Sequence, residues 1–329
     1  YSHPSVFGGK KPTSNFSLLG QGFPGFLEHK EQDIWIATDN GITVLEKGIP
    51  AKEKIKYYFQ GIPVTCIYEA RPTEGSYSHP PVFGGSIFWI ATQGAGLKRL
   101  NPADGSIVSY TTADGLTTPF LYQFFEDPQE NFWLMSNNGI LRVSKKELEQ
   151  YRKPGAEMIN CTAFGTSDGL NSLEFNNEFS RNSALEAGNG EFWFITKNGI
   201  SIVNPAKIRI NKIPPPVVIE TALFNERPIA LHQEKPVFKS IETIRFRFTA
   251  PTFLSPGKVK FKYRLEGHDE KWVFLLPGQE RVAHYKNLKP GTYTFRVMAS
   301  NAEGVWNQTG DSLAFTLKLY FYEPPAFKI

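Results

Sequence analysis

The sequence predicts an all-β protein in two parts, and three observations predict it. The chain of 329 residues holds 28 glycines and 24 prolines, a turn density suited to many short strands. Four segments repeat one tryptophan-centred pattern through the first two thirds, and the last third changes to runs of clean two-residue alternation. Apolar residues make up 40 % and aromatic residues 14 %, enough for a sizeable core.

The repeated segments are DIWIATDNGITVL around Trp35, IFWIATQGAGLKRL around Trp89, NFWLMSNNGILRV around Trp133 and EFWFITKNGISIV around Trp193. Each reads as an apolar strand, a tight turn and a second apolar strand. Asn40-Gly41, Asn138-Gly139 and Asn198-Gly199 stand at one offset after the tryptophan. Asn-Gly adopts φ > 0 at little steric cost, so the pattern predicts type I′ hairpins. The second copy has Gly94-Ala95-Gly96 and is one residue longer; without a following helix it is a turn rather than a phosphate loop. A second landmark precedes each tryptophan: Gly22-Phe23, Gly61-Ile62, Gly115-Leu116 and Gly169-Leu170, the last two written DGL in full. A further strand lies on each side, as in PVTCIYEA and SIVSYTT. Four short strands per unit is the spacing of a propeller blade. Residues 1–212 are therefore predicted to form a partial β-propeller of four-stranded blades, an incomplete ring of about four to five, with the four tryptophans packed in the core or between blades.

Two departures from the period locate insertions. SKKELEQYRKPG lengthens the third unit; Ser144 and Glu147 form a capping-box pattern and Pro154-Gly155 ends it, so a short helix is predicted. YSHPPVFGG at Tyr77 to Gly85 falls between two blade strands as an inserted loop, and it nearly duplicates YSHPSVFGG at Tyr1 to Gly9. The first copy is expected to be the same loop of a preceding blade, with residues missing between Gly9 and about Thr13. No leader pattern starts at Tyr1, so the chain is expected to continue upstream.

Pro214 to Pro216 break the pattern as a stiff linker or edge-strand approach. Strand-like runs follow in VVIETALFN, TIRFRFTA, VKFKYRLEG, RVAHYKNL, GTYTFRVMASN and SLAFTLKLYF. About seven strands over roughly a hundred residues predict an immunoglobulin- or fibronectin-like β-sandwich over 213–323.

In this part KYRLEGHDEKWVF, RVAHYKNLKPGTYTFRVMASNAEGVWN and the closing YEPPAF resemble the triple-tyrosine (Y_Y_Y) domain, with Tyr263, Tyr285 and Tyr293 as the tyrosines and Trp272 and Trp306 beside them. His268 departs from the aromatic or apolar residue usual there and is read as a surface variation. The blades resemble two-component-regulator propeller repeats. Together the two parts resemble the extracytoplasmic sensor region of bacterial two-component or hybrid histidine kinases. The resemblance implies a non-catalytic periplasmic region of an inner-membrane protein, a homodimer, and residues 324–329 as a juxtamembrane linker. It also implies a membrane helix after Ile329, a kinase or diguanylate cyclase output beyond it, and carbohydrate breakdown products as ligands.

The chemistry legible without that resemblance is sparse. Net charge is +4. Residues 1–212 hold 20 basic and 21 acidic side chains and residues 213–329 hold 16 and 11, so the excess lies in the C-terminal part. It is spread along strands, which speaks against a nucleic-acid partner and suits an anionic membrane surface better. Cys66 and Cys161 stand far apart and read as small buried apolar residues. The six histidines show no metal-ligand spacing, no nucleophile elbow is present, and neither a metal nor a cofactor is called for. The most polar stretch, SLEFNNEFSRNS, lies between a DGL landmark and a tryptophan strand. Glu174, Asn176, Asn177 and Arg181 there are candidates for a small polar or oligosaccharide ligand; the alternative is a solvated loop with an arginine tying blades together. The sequence thus predicts a ligand-sensing, signal-transmitting region. A secreted or surface binding module without signalling and a propeller glycosidase with paired carboxylates are the alternatives.

Overall fold

The computed structural model describes residues 26–29, 33–46, 55–70, 87–151, 158–175, 183–208, 210–231, 236–239, 241–252 and 255–318. The chain divides into two compact units, Tyr1–Ile208 and Arg209–Ile329. Both copies of the YSHP motif, Asn176, Asn177, Arg181 and residues 324–329 lie outside the described residues.

Unit one is a series of antiparallel meanders. Strands β1 (Phe26–His29), β2 (Asp33–Thr38), β3 (Gly41–Leu45) and β4 (Ile55–Tyr58) pair in chain order as blade one. Strands β5 (Val64–Glu69), β6 (Phe88–Thr92), β7 (Leu97–Asn101) and β8 (Ser106–Tyr110) make blade two. Strands β9 (Leu121–Glu126), β10 (Asn131–Ser136), β11 (Gly139–Ser144) and β12 (Cys161–Phe164) make blade three. Blade four has three strands among the described residues, β13 (Ala184–Glu186), β14 (Phe192–Thr196) and β15 (Gly199–Val203). The inserted YSHPPVFGG loop therefore joins β5 to β6, whose ends are closed by the Ala70 N–H donating to Ile87 O at 2.9 Å.

Alternation explains how the blades stack. Successive side chains of a strand point to opposite faces. In β6, Phe88 and Ile90 pack with Trp35 and Val44 of blade one. Trp89 and Ala91 of the same strand pack with Phe124, Phe132 and Leu134 toward blade three. The strand is buried on both faces, which is why its sequence is a continuous apolar run. Each tryptophan meets the phenylalanine just before the next one: Trp35–Phe88 at 4.3 Å, Trp89–Phe132 at 5.0 Å and Trp133–Phe192 at 6.3 Å between ring centres. The Phe-Trp dipeptide is thus one residue for the preceding blade and one for the following blade.

The hairpins differ from the type I′ expectation. Asn40, Asn138 and Asn198 keep negative φ, and only the glycines turn left-handed, with φ of +112° at Gly41, +87° at Gly139 and +119° at Gly199. The loops are type I turns followed by a glycine bulge. A hydroxyl at the end of the tryptophan strand selects this form. Thr38 donates to Gly41 O at 2.9 Å and accepts from Asn40 N–H at 3.1 Å. Ser136 does the same to Gly139 and Asn138, and Thr92 and Thr196 donate to Gly96 O and Gly199 O. A true type I′ turn occurs in unit two instead, where Asn225 and Glu226 have φ of 48° and 61°.

The glycine is needed for space as well as for φ. A Cβ at Gly139 would stand 2.2 Å from Phe164 O of β12, whereas one at Gly169, φ +102°, would meet nothing within 4 Å. Gly169→Ala should therefore cost about 1 kcal/mol for the left-handed backbone alone. Gly139→Ala should cost about 3 kcal/mol or more, since β12 must shift. Urea unfolding of the two variants checks this, and equal losses would refute the steric account.

The DGL landmark is a self-capped turn. Asp114 Oδ2 accepts from the Thr111 N–H and hydroxyl at 2.8 and 2.9 Å, Gly115 turns at φ +117°, and Leu116 enters the core. Asp168 repeats this with Gly165 N–H at 2.8 Å. The predicted helix is α1 (Lys145–Gln150), with Ser144 as its cap accepting from Glu147 N–H. The Glu147 carboxylate accepts from Asn160 N–H. Leu148 is buried between blades two and three, Tyr110 of blade two donates to Leu148 O at 2.9 Å, and Tyr151 donates to Asp114 at 2.9 Å, so the insertion ties the two blades.

Unit two is a sandwich. Its strands are β16 (Val218–Phe224), β17 (Arg227–Pro228), β18 (Val237–Lys239), β19 (Thr243–Thr249), β20 (Lys260–Glu266), β21 (Val273–Leu275), β22 (Val282–Lys286), β23 (Gly291–Ser300) and β24 (Asp311–Lys318). One sheet runs β17-β16-β19-β22 and the other β18-β24-β23-β20-β21. Among the described residues there are nine strands where about seven are expected: six match the six strand-like runs, and β17, β18 and β21, only two or three residues long, are added. Inward residues of both sheets share one core, centred on Phe246 stacked on Phe295 at 4.0 Å. The proline-rich approach is held by amides: Asn301 Nδ2 donates to Asn211 O and Ile213 O, and Asn307 Nδ2 donates to Pro215 O.

Candidate ligand-facing loop surface

The blades repeat one strand order and stack in one direction, so their β2-β3, β6-β7, β10-β11 and β14-β15 turns share one end of the unit. At that end the hydroxyl and glycine of each turn recur, but the residue after the hydroxyl does not. It is Asp39, Gln93, Asn137 and Lys197 in blades one to four, all exposed. In the last three its N–H donates to a carbonyl of the segment leading into the same blade: Gln93 to Pro63 at 3.0 Å, Asn137 to Phe120 at 3.4 Å and Lys197 to Glu174 at 2.9 Å. Pro63, Phe120 and Glu174 are thus equivalent positions, fixed by backbone bonds while their side chains are left to the surface.

Glu174 is therefore placed on this surface by the fold. Its carboxylate pairs with Lys197 Nζ at 2.5 Å, both side chains well exposed. The hydrogen bond from Lys197, and then its charge, holds the Glu174 carboxyl below the usual range. So exposed a pair adds little to stability; it faces Glu174 with an ammonium rather than a second carboxylate.

The blade-two and blade-three part of the surface has a different character. Phe120 is 39 % exposed. Its ring lies beside the Gly94 turn, and its backbone is bridged to Gln93 and accepts from the Asn137 N–H. Thr118 donates to Asn137 Oδ1 at 2.6 Å and fixes that amide. An exposed aromatic side chain on the same surface as a fixed amide suits a polar ring-shaped ligand. Sequence reading missed it because each contributing residue occurs in one copy only; the signal available was an aromatic residue, Phe120, where the other copies have Pro63 and Glu174.

The remaining singled-out residues are packing elements in the structure. Trp35, Trp89 and Trp133 are buried at 4 %, 0 % and 1 % exposure. Asp127 accepts from Trp133 Nε1 at 2.8 Å, and Trp193 is half-buried with Nε1 donating to Glu191. In the sandwich, Tyr293 donates to Lys289 O at 2.6 Å, four residues upstream at the start of β23, which is the tyrosine-corner arrangement of such folds. Tyr285 donates to Asp269 Oδ2 at 2.7 Å, and the same oxygen accepts from Leu265 N–H, so the Gly267-His268 turn is fastened. Burial first, then that hydrogen bond, drives the Tyr285 phenol far upward. Tyr263 lies against Phe248 and Phe295. Exposed His268 meets the Tyr285 ring edge-on at 5.8 Å. Trp272 and Trp306 flank the buried ammonium of Lys262, at 5.4 and 4.6 Å from their ring centres, a cation–π arrangement on the outer face of the sheet. Cys66 and Cys161 form no disulfide with each other.

Comparison with known proteins places these features. Residues 252–318 match the Y_Y_Y domain family. Histidine kinase P4 of Formosa agariphila is 22 % identical over 328 residues, covering 93 % of this chain and 22 % of that protein. The chain thus spans about a fifth of the length of the curated relative it matches. The extracellular domain of a putative hybrid two-component system from B. thetaiotaomicron aligns with 90 % of this chain and 44 % of its own, at 19 % identity and a TM-score of 0.39. That of a putative one-component system from the same bacterium aligns with 92 % and 49 %, at 17 % identity and a TM-score of 0.34. The chain resembles the sensor region of a hybrid histidine kinase.

Proposed function

We propose that this chain is the extracytoplasmic ligand-sensing and signal-transmitting region of a membrane-anchored two-component sensor, and that its ligand is a carbohydrate. The observation that supports the first part is the order of parts: propeller blades run directly into a Y_Y_Y sandwich on one chain, and a histidine kinase is similar across nearly all of it. The observation that supports the second is the exposed Phe120 ring beside the Gly94 turn, on the same loop surface as the fixed Asn137 amide. In this reading a ligand stabilises one arrangement of the blades, and the sandwich hands the change to a membrane segment and an output domain. Such transmission requires different affinities for two states. No helix among the described residues is long and apolar enough to cross a membrane; the anchor in this reading is a helix after Ile329.

The test is thermal unfolding of the chain titrated with a panel of defined oligosaccharides. A ligand at a hundred times its Kd adds about 2.7 kcal/mol, which raises the midpoint by about 5–10 °C for a unit of this size. Phe120→Ala should abolish that shift while leaving the ligand-free midpoint within about 1 °C, since the ring is not core. An unchanged ligand response in Phe120→Ala would refute the assigned surface. No response to any member of the panel would refute the carbohydrate reading.

A further inference from the structure

A buried hydroxyl holds the exposed amide of Asn137 in one orientation. Thr118 is 6 % exposed; its Oγ1 accepts from the Phe120 N–H at 3.2 Å and stands 2.6 Å from Asn137 Oδ1. The hydroxyl proton needs an acceptor of its own, and among the described residues that acceptor is Oδ1. The separation agrees, because O–H···O bonds cluster at about 2.7–2.8 Å and N–H···O bonds at about 2.9–3.0 Å. A flipped amide would press Nδ2 against Oγ1 and leave a buried hydroxyl proton unbonded. The Asn137 oxygen is therefore engaged with Thr118, and the two N–H groups of Nδ2 are what the residue offers a ligand. An asparagine free to flip would offer donor or acceptor alike; this one offers donors.

Blades two and four are not built this way. Gly61 and Ser172 stand where blade three has Thr118, two residues before Pro63 and Glu174. Gly61 has no hydroxyl to orient Gln93. Ser172 Oγ accepts from the Glu174 N–H at 3.0 Å, the counterpart of the Thr118–Phe120 bond, but the residue facing it in the repeat is Lys197, which cannot accept.

We propose that Asn137 sets the chemical class of sugar this surface takes: one that brings a carboxylate or an acetamido carbonyl oxygen to Nδ2, and not one that brings an ammonium, with Thr118 as the positioning residue. The inference rests on the carbohydrate reading of the same surface. An ammonium set against a fixed donor leaves both groups unpaired, and a site rejects a ligand most strongly on such a mismatch. A sugar hydroxyl accepts as well, so the sharpest comparison is an acetylated amino sugar against its deacetylated form, which differ at one group.

The test titrates the chain with a chitin tetrasaccharide, its fully deacetylated form and a tetragalacturonate, reading the thermal midpoint. The acetylated sugar or the uronate should bind at least tenfold more tightly than the deacetylated sugar. Asn137→Asp, which turns an acceptor outward, should reverse that preference. Thr118→Val should reduce it and Thr118→Ser restore it, as expected of a group that acts by orienting another. NMR of the ligand-free chain gives a second reading: a Thr118 hydroxyl proton in slow exchange, and Asn137 Nδ2 protons in fast exchange with water. A flipped amide in that measurement would overturn this inference while leaving the carbohydrate reading intact. Equal affinity for the acetylated and deacetylated sugars, or a preference unchanged in Asn137→Asp, would overturn it too. No response to any of the three sugars, with the amide oriented as described, would count against the surface as a sugar site and so against both.

Discussion

Replacing Trp89 with alanine should cost the blade unit about 3–5 kcal/mol, the range for removing a fully buried large aromatic. The ring is 0 % exposed and touches three elements: Tyr110 of its own blade at 5.8 Å, Phe132 of the next at 5.0 Å, and the core that includes Leu148 of α1. No neighbour can collapse into the space without parting the blade-two and blade-three sheets. Trp193→Ala removes the same side chain from the equivalent position of blade four, but there the ring is half-buried and borders an open face. In the 329-residue chain that change should cost about 1 kcal/mol or less. Urea unfolding followed by far-ultraviolet circular dichroism measures both. Similar losses would contradict the seam assignment, because they would mean that packing against the following blade contributes nothing at Trp89.

The contrast between these two tryptophans bears on what a sequence displays. The repeat is legible because every blade needs the same things from its second strand: one face for each neighbour and a tight reversal at its end. Trp35, Trp89, Trp133 and Trp193 therefore align by eye, and so do the glycines after them. The turn type is not legible from Asn-Gly taken alone. Thr38, Ser136 and Thr196 stand three residues after their tryptophans, and their hydroxyls hold the Asn-Gly loops in a turn that leaves only the glycine left-handed. The sandwich is legible from alternation, and its short strands are not, since two or three residues carry no period. The loop surface is least legible. Asp39, Gln93, Asn137 and Lys197 differ in every copy, and the neighbours that give Phe120 its setting come from two blades. Of the polar candidates, Glu174 stands on that surface with Lys197.

A second large effect is expected at Glu126, which the sequence offers only as the acidic end of a strand. Tyr68 of blade two donates to its Oε2 at 2.8 Å, and Lys145 of blade three holds its Oε1 at 2.8 Å. Both charged side chains are nearly enclosed, at 5 % exposure for Lys145 and 7 % for Glu126. Burial of two charges gives back little net stability, because desolvation offsets most of their attraction, yet removing one partner is severe. Glu126→Ala should therefore cost about 3–5 kcal/mol by leaving the enclosed ammonium without its carboxylate. Tyr68→Phe, which deletes only the hydroxyl, should cost about 1 kcal/mol. The informative variant is the double replacement Glu126→Leu with Lys145→Met, which removes both charges at similar volume. Its loss should be much smaller than that of Glu126→Ala alone. A double variant as unstable as the single one would show that the pair holds α1 to β9 by net attraction. The expected recovery would show that the pair adds little net attraction, and that the apolar contacts around Phe124 and Phe132 supply the strength of the seam.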